Sequence, residues 1–507
     1  MTSGGRSTQG LPRLLSWLPA PLHDPAQRPR LLGWFGVGMV VRLLIAPFTV
    51  SADMLAVYWR SHLIAYDGAV YSDYLVNMGA HYTHALSLRI LDPLLPPADV
   101  LWTDPWWWAD GPALTAQFQR QFVDTEGIFG TLLTLKLPYL AFDIAAGLLI
   151  LALVAHAAPR HVTRAWAFWM LSPIGLYATY AFGRYEMFAV ALVVAALWAC
   201  EREHPWWGAV LLGLAITMRG YPIVLVPIFG LIVMRRPLAR LGWAALSLLP
   251  FAVVMWTNTL LADTVGEFSR LRDYSTGSTF LAYTIPVDGV GPIYLFGLFA
   301  IGLFGVLIGR AYGWWGSGPV PVAELWVWLA LFHFGMFALT TFSAHYFAWV
   351  TPFVALALAR RPEWRGMLWL HLLQVGAVLA LADLYGGPGT TWGLLQPLQP
   401  DVVDAVPNLR EALLTSPELV EQLAGALRTA FVALMALTCW PLVSWLRDRS
   451  RDAVAAGMHF DGPGADVVGG VSAASGSQPT HGEGDAADHG EDPEGREDRF
   501  GQQPASR

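Results

Sequence analysis

The residues with the clearest chemical promise sit where apolar runs give way to short polar stretches. In Ser51-Ala52-Asp53-Met54, Asp53 follows almost directly on the apolar run from Val41 to Pro47. A carboxylate placed there is held rigidly and half stripped of water, which suits it to take a proton from an acceptor hydroxyl. A helix cap, or an ion pair with Arg42 or Arg60, would use the same group structurally, and both readings stay open. Lys136 and Asp143, in Lys136-Leu137-Pro138-Tyr139-Leu140-Ala141-Phe142-Asp143, are two helical turns apart and so share one face of a helix. Charged groups at membrane depth are costly, and serve function or pair with one another or with a neighbouring helix.

Arg184 and Glu186, in Arg184-Tyr185-Glu186, and Arg219, in Arg219-Gly220-Tyr221-Pro222, mark two more such edges. A guanidinium stays charged and forks well onto phosphate oxygens, so these arginines suit a lipid-linked phosphate; Arg184 and Glu186 equally suit satisfying nearby groups. His345, in Ser343-Ala344-His345-Tyr346-Phe347, interrupts an apolar hairpin and suits hydrogen bonding to a phosphate or hydroxyl, or a structural place. The mixed-charge stretch from Glu267 to Tyr274 reads either as a flap over an acceptor or as a solvated loop.

These residues must be positioned by helices crossing a membrane. Of the 507 residues 55% are apolar, 13% aromatic and 14% charged, against about 25% charged in an ordinary soluble domain. Apolar stretches near 31–50, 131–156, 165–181, 185–200, 206–218, 222–234, 241–261, 291–309, 324–343, 346–359, 366–384 and 426–446 predict an all-α multi-pass membrane protein with about twelve transmembrane helices (range 10–13). Several stretches are short for a crossing, so breaks are expected at Pro173, Pro227 and Pro352. Arginines gather at Arg28/Arg30, Arg160/Arg164, Arg202, Arg235/Arg236/Arg240, Arg310, Arg360/Arg361/Arg365 and Arg447/Arg449/Arg451, which are alternate breaks. The positive-inside rule then places residues 1–30 and both termini in the cytoplasm, with 51–128, 262–290 and 385–425 as outer loops within the transmembrane domain 31–446. The first outer loop is long enough to carry its own helices, and Trp102 and Trp106 to Trp108 within it suit anchoring at the headgroup level.

The formal charge of -7 comes largely from the last fifty or so residues, and no basic stripe for nucleic acid is present. Residues 447–507 are rich in Gly, Ser, Asp and Glu, and read from about 450 onward as a disordered acidic tail. Cys200 and Cys439 lie in separate apolar stretches and predict buried packing without a disulfide. No cleaved signal peptide is expected, and the single lysine among arginines fits a GC-rich bacterial genome. GxxxxGK[ST], HExxH, an outer-loop DxD and a spaced Cys/His metal set are all absent from the sequence, which disfavours an ATP-driven pump and a zinc protease. No internal repeat or inverted pair of broken spans marks a secondary transporter. With no soluble domain for a nucleotide sugar, an outer-face transferase would take its activated sugar from a lipid.

The order of these pieces resembles the GT-C superfamily of membrane glycosyltransferases, especially bacterial relatives of the mannosyltransferases of phosphatidylinositol mannosides and GPI anchors. The likeness runs over about residues 30–360, from an arginine in the first span and Ser51-Ala52-Asp53-Met54 to an aromatic-rich loop with Tyr58 and Tyr71. Lys136-Leu137-Pro138 with Asp143, Leu171-Ser172-Pro173, Phe182-Gly183-Arg184-Tyr185-Glu186, Met218-Arg219-Gly220-Tyr221-Pro222 and His345-Tyr346-Phe347-Ala348-Trp349-Val350-Thr351-Pro352 follow in order. Two departures stand out: Arg219 occupies a slot where such proteins often carry lysine, and His345 lacks a following Pro-Gln.

The resemblance implies a general base at Asp53 and inversion at the anomeric carbon in one displacement. It implies a donor phosphate held by Arg219, Lys136, His345 and Arg184, and substrate contacts from Tyr58, Arg60, Tyr71, Glu186, Tyr221 and Tyr346. The expected donor is a polyprenyl-phosphate sugar carrying a hexose, with mannose ahead of arabinose or glucose. Expected acceptors are a glycolipid, a glycan such as a polysaccharide, or a protein, outside the bacterial cytoplasmic membrane among its lipids. Some members use a divalent metal, and the resemblance fixes neither its presence nor its absence. A transporter or lipid-linked sugar flippase, with Lys136, Asp143 and Arg219 lining a path, is the rival from another class; a catalytically silent relative is a third.

Overall fold

The computed structural model describes residues 18–71, 77–102, 119–262, 283–286, 291–314, 319–407, 409–413 and 416–455. The chain divides into two units, Met1–Phe460 and Asp461–Arg507, and all described residues lie in the first. Asp73, Trp106 to Trp108, Glu267 to Tyr274 and the tail beyond residue 455 fall outside the described residues.

Helices dominate. Pro29 starts the Arg28–Ile45 helix, where a missing N–H costs nothing, and Pro47 closes it in a 3-10 turn at Ala46–Phe48. Proline also sets the breaks within the bundle. The Ile128–Leu135 helix stops at Lys136 and resumes as Leu137–Ala157 with Pro138 in its first turn. Val162–Leu171 gives way to Pro173–Leu176 and a π-helical turn at Tyr177–Ala181. Pro227 and Pro352 open the Val226–Val233 and Thr351–Arg360 helices, each after a 3-10 turn.

Among the described residues six helical stretches are long and apolar enough to cross a membrane: Arg28–Phe48, Ile128–Ala157, Pro237–Leu261, Val322–Leu339, Gly366–Tyr385 and Glu418–Arg449. The helices Glu186–Glu201, Pro205–Met218, Leu295–Ala311 and Thr351–Arg360 are shorter, and fill other stretches read as spans. One core joins much of this bundle, with Trp166, Phe229, Trp243, Trp326 and Phe353 buried inside it. Around it Leu238, Leu241, Leu249, Trp256, Leu260 and Trp369 stand exposed, an apolar coat that fits hydrocarbon better than water. The chain is therefore a membrane protein.

The segment after the first helix carries the helices Ala52–His62, Met78–Leu91 and Ala98–Leu101. They share a second core, in which Met54, Tyr58, Trp59, Leu88 and Trp102 pack with Tyr139, Tyr185 and Phe188 from the bundle. Two features differ from the sequence reading. The last helix runs from Pro417 to Ala455, past the expected start of disorder near 450, because Leu442 and Leu446 are buried and Arg449 lies over the Trp445 ring. The second departure is a small antiparallel pair in an otherwise helical chain, Thr284 opposite Tyr294 and Ile285 opposite Ile293.

Candidate active site

At one end of the bundle the start of the Ala52–His62 helix meets three turns, around Gly183, Arg219 and His345. Ser51 caps the helix: its Oγ accepts from the Met54 N–H (3.1 Å) and donates to the Phe182 carbonyl (2.6 Å). That second bond ties the helix to the turn that carries Arg184. Gly183 has φ +73°, a left-handed conformation, and a Cβ there would meet Met54 Sδ at 2.6 Å. Only glycine suits that place. The turn then delivers Arg184 to Asp53: Nη1 donates to the Asp53 carbonyl (3.3 Å), and Nη2 stands 3.5 Å from Asp53 Oδ2. Asp53 keeps its side chain 35% exposed, whereas that of Arg184 is 12% exposed.

Beneath this opening lies a buried network. Glu186 Oε2 accepts from the Trp349 indole N–H (2.6 Å), while Oε1 faces Arg219 Nε at 3.6 Å and His345 Nε2 at 3.8 Å. Arg219 Nη1 donates to the Tyr185 hydroxyl (2.7 Å). The Arg219 guanidinium lies 4.6 Å from the centre of the Tyr346 ring and 5.3 Å from that of Tyr185; Arg184 lies 5.1 Å from the same Tyr185 ring. Two cations thus flank one tyrosine beside a part-exposed carboxylate, an arrangement suited to an anion with a proton acceptor next to it. Tyr221 stacks on Trp349 at 3.5 Å, and Phe182 on His345 at 4.6 Å. Burial, reinforced by Arg184 and Arg219, holds the His345 imidazole well below the usual histidine range.

Asp53, Arg184, Glu186, Arg219, Tyr221, His345 and Tyr346 are thus brought together, and other expected site residues are placed elsewhere. Lys136 is buried, and its ammonium donates to the carbonyls of Ala46 (2.8 Å), Thr49 (2.6 Å) and Tyr180 (2.7 Å) and to Thr49 Oγ1 (3.0 Å). Its ammonium fastens the end of the first helix to the turn before Gly183, and its Cε would lie 3.4 Å from a Cβ at Gly183. Asp143 pairs with Arg42 (2.8 Å) and accepts from the Tyr180 hydroxyl (2.6 Å), so neither Lys136 nor Asp53 takes those partners. Tyr58, Arg60 and Tyr71 sit in the loop's interior. Tyr58 donates to the Leu135 carbonyl, Arg60 is buried, and Tyr71 packs with Met78 while its carbonyl accepts from Asn258 (3.2 Å). Packing against neighbouring elements buries all three side chains. Glu186 is sealed, at 0% exposure, among Trp349, Arg219 and His345.

Sequence reasoning gave no role to Tyr185 or Trp349, which hold Arg219 and Glu186. The three-residue spacing of Tyr346 and Trp349 was the available signal, since it stacks the two rings on one face (5.1 Å). It also missed that residues 390–394 reach the elements around the site: the Tyr177 hydroxyl donates to the Thr390 carbonyl (2.8 Å), and the Val50 N–H to that of Leu394 (2.9 Å). Among the described residues no group of three or more His, Cys, Asp or Glu side chains is gathered as a metal set. Cys200 and Cys439 are free thiols.

No curated protein and no solved structure matches the chain. Residues 128–340, less than half of the sequence, match the family model described as Glycosyltransferase family 87. The matched stretch holds Arg184, Glu186, Arg219 and Tyr221 and stops between Asp53 on one side and His345 on the other. The match indicates glycosyltransferase activity.

Proposed function

We propose that the protein transfers a hexose, mannose by preference, from a polyprenyl-phosphate donor to a glycolipid, polysaccharide or protein on the outer face of the bacterial cytoplasmic membrane. The observation that carries this reading is the Asp53 carboxylate, part exposed and 3.5 Å from Arg184, with Arg219 on the other side of Tyr185. Asp53 takes the proton of the acceptor hydroxyl. The acceptor oxygen then forms its bond to the anomeric carbon as the bond from that carbon to the phosphate oxygen breaks, and the polyprenyl phosphate leaves with the electron pair. Configuration inverts, and no covalent enzyme intermediate is needed. Arg219 and Arg184 offset the negative charge that grows on the leaving phosphate, with His345 as a neutral hydrogen-bonding neighbour. A base at one end of the displacement and cations at the other lower the same barrier.

The topology that goes with this reading keeps the termini and the Arg236 region cytoplasmic. The test supplies purified full-length protein in nanodiscs with polyprenyl-phosphate mannose and an extract of envelope lipids, and follows products by mass spectrometry. Transfer from the lipid donor with inverted configuration is expected. Transfer from a nucleotide sugar in its absence would overturn the reading.

A further inference from the structure

We infer that Trp349 is a positioning residue for the donor phosphate, acting through Glu186 on Arg219. The inference rests on the reading that Arg219 binds that phosphate. Trp349 itself is 3% exposed and lies beneath Glu186, so it acts only through what it holds. Its indole N–H fixes one carboxylate oxygen at 2.6 Å, and the other oxygen faces Arg219 Nε at 3.6 Å. Tyr221, stacked on the indole at 3.5 Å and nearly parallel to it at 11°, keeps the N–H aimed. From the far side the Tyr185 hydroxyl takes Arg219 Nη1 at 2.7 Å, and the Tyr346 ring covers the guanidinium face at 4.6 Å. A long arginine side chain has many rotamers; braced at its Nε edge, at Nη1 and on its face, it keeps one.

The arrangement is economical in charge as well. Glu186 is fully buried and its Oε1 makes no hydrogen bond, so the indole bond to Oε2 is what keeps the carboxylate from moving toward the nearest cation. With Oε2 tied to the indole, Oε1 stays at the distance of a loose ion pair from Arg219, 3.6 Å. Loss of the indole N–H would let Glu186 close onto Arg219 and withdraw it from an incoming anion.

The test measures equilibrium binding of farnesyl phosphate and of farnesol to the full-length protein in nanodiscs. The difference between the two probes isolates recognition of the phosphate, a quantity that a merely structural residue would not move. Trp349→Phe should weaken farnesyl phosphate binding by about tenfold, the scale of one hydrogen bond to a charged group, with farnesol binding unchanged. In an Arg219→Ala background Trp349→Phe should cost nothing further, because the brace then has nothing to hold. Unchanged phosphate recognition in Trp349→Phe alongside its loss in Arg219→Ala overturns the brace and leaves the proposed function standing. Unchanged recognition in Arg219→Ala overturns the reading on which the brace rests. If Trp349→Phe loses farnesol binding too, Glu186→Asp decides: it keeps the charge and retracts the carboxylate by one methylene, so selective loss of phosphate recognition supports the brace and wild-type recognition overturns it.

Discussion

Replacing Asp53 by Asn removes a proton acceptor and little else. The helix start is held by Ser51 Oγ and the Met54 N–H, and Arg184 Nη1 binds the backbone carbonyl of residue 53, so both contacts survive the substitution. The side-chain ion pair lost among the described residues is the 3.5 Å approach of Arg184 Nη2 to a carboxylate that is 35% exposed. An ion pair so open to solvent contributes at most about 1 kcal/mol. General-base catalysis contributes about 100-fold to 10,000-fold, or roughly 3 to 5 kcal/mol of barrier, so turnover should fall far more than stability. Donor KM should stay level or drop slightly, since one negative charge beside the phosphate has gone. Purified wild-type and Asp53→Asn proteins, compared for transfer from radiolabelled polyprenyl-phosphate mannose and for thermal unfolding, give both numbers. A variant within about threefold of wild-type turnover would refute the assignment of the base. So would a loss of activity matched by a loss of folded protein.

Asp143→Asn should act on stability instead: it leaves Arg42, at 3% exposure, facing a neutral amide in place of its carboxylate at 2.8 Å, and breaking such a buried pair costs about 3 to 5 kcal/mol. Thermal unfolding in nanodiscs reads this, and an unaltered melting curve would contradict the pairing. Gly183→Ala should cost about 1 to 3 kcal/mol and lower transfer by at least about tenfold, because a Cβ 2.6 Å from Met54 Sδ displaces the turn that aims Arg184. Gly130→Ala, whose Cβ would meet nothing within 4 Å, serves as the silent control. Cysteines introduced at the exposed positions Ser343 and Arg236 should react with an impermeant maleimide only from outside and only from inside the cell, respectively. Labelling of both from one side would refute the topology.

What could be read directly from the sequence about this protein was whatever depends on near neighbours. Apolar runs, arginine-rich breaks and the helix restarts at Pro173, Pro227 and Pro352 are local properties, because hydropathy and the missing proline N–H act within a few residues. The turns around Gly183, Arg219 and His345 were legible as polar interruptions of such runs. Which partner each buried charge takes was not. Arg42 meets Asp143 across 101 residues, Arg184 meets Asp53 across 131, and Trp349 meets Glu186 across 163. A buried polar group has to be satisfied by whatever the packed helices bring within about 3 Å, so its partner is set by how the bundle closes. That closure alone put Lys136 among backbone oxygens, buried Tyr58, Arg60 and Tyr71, and left Asp53 part exposed beside Arg184.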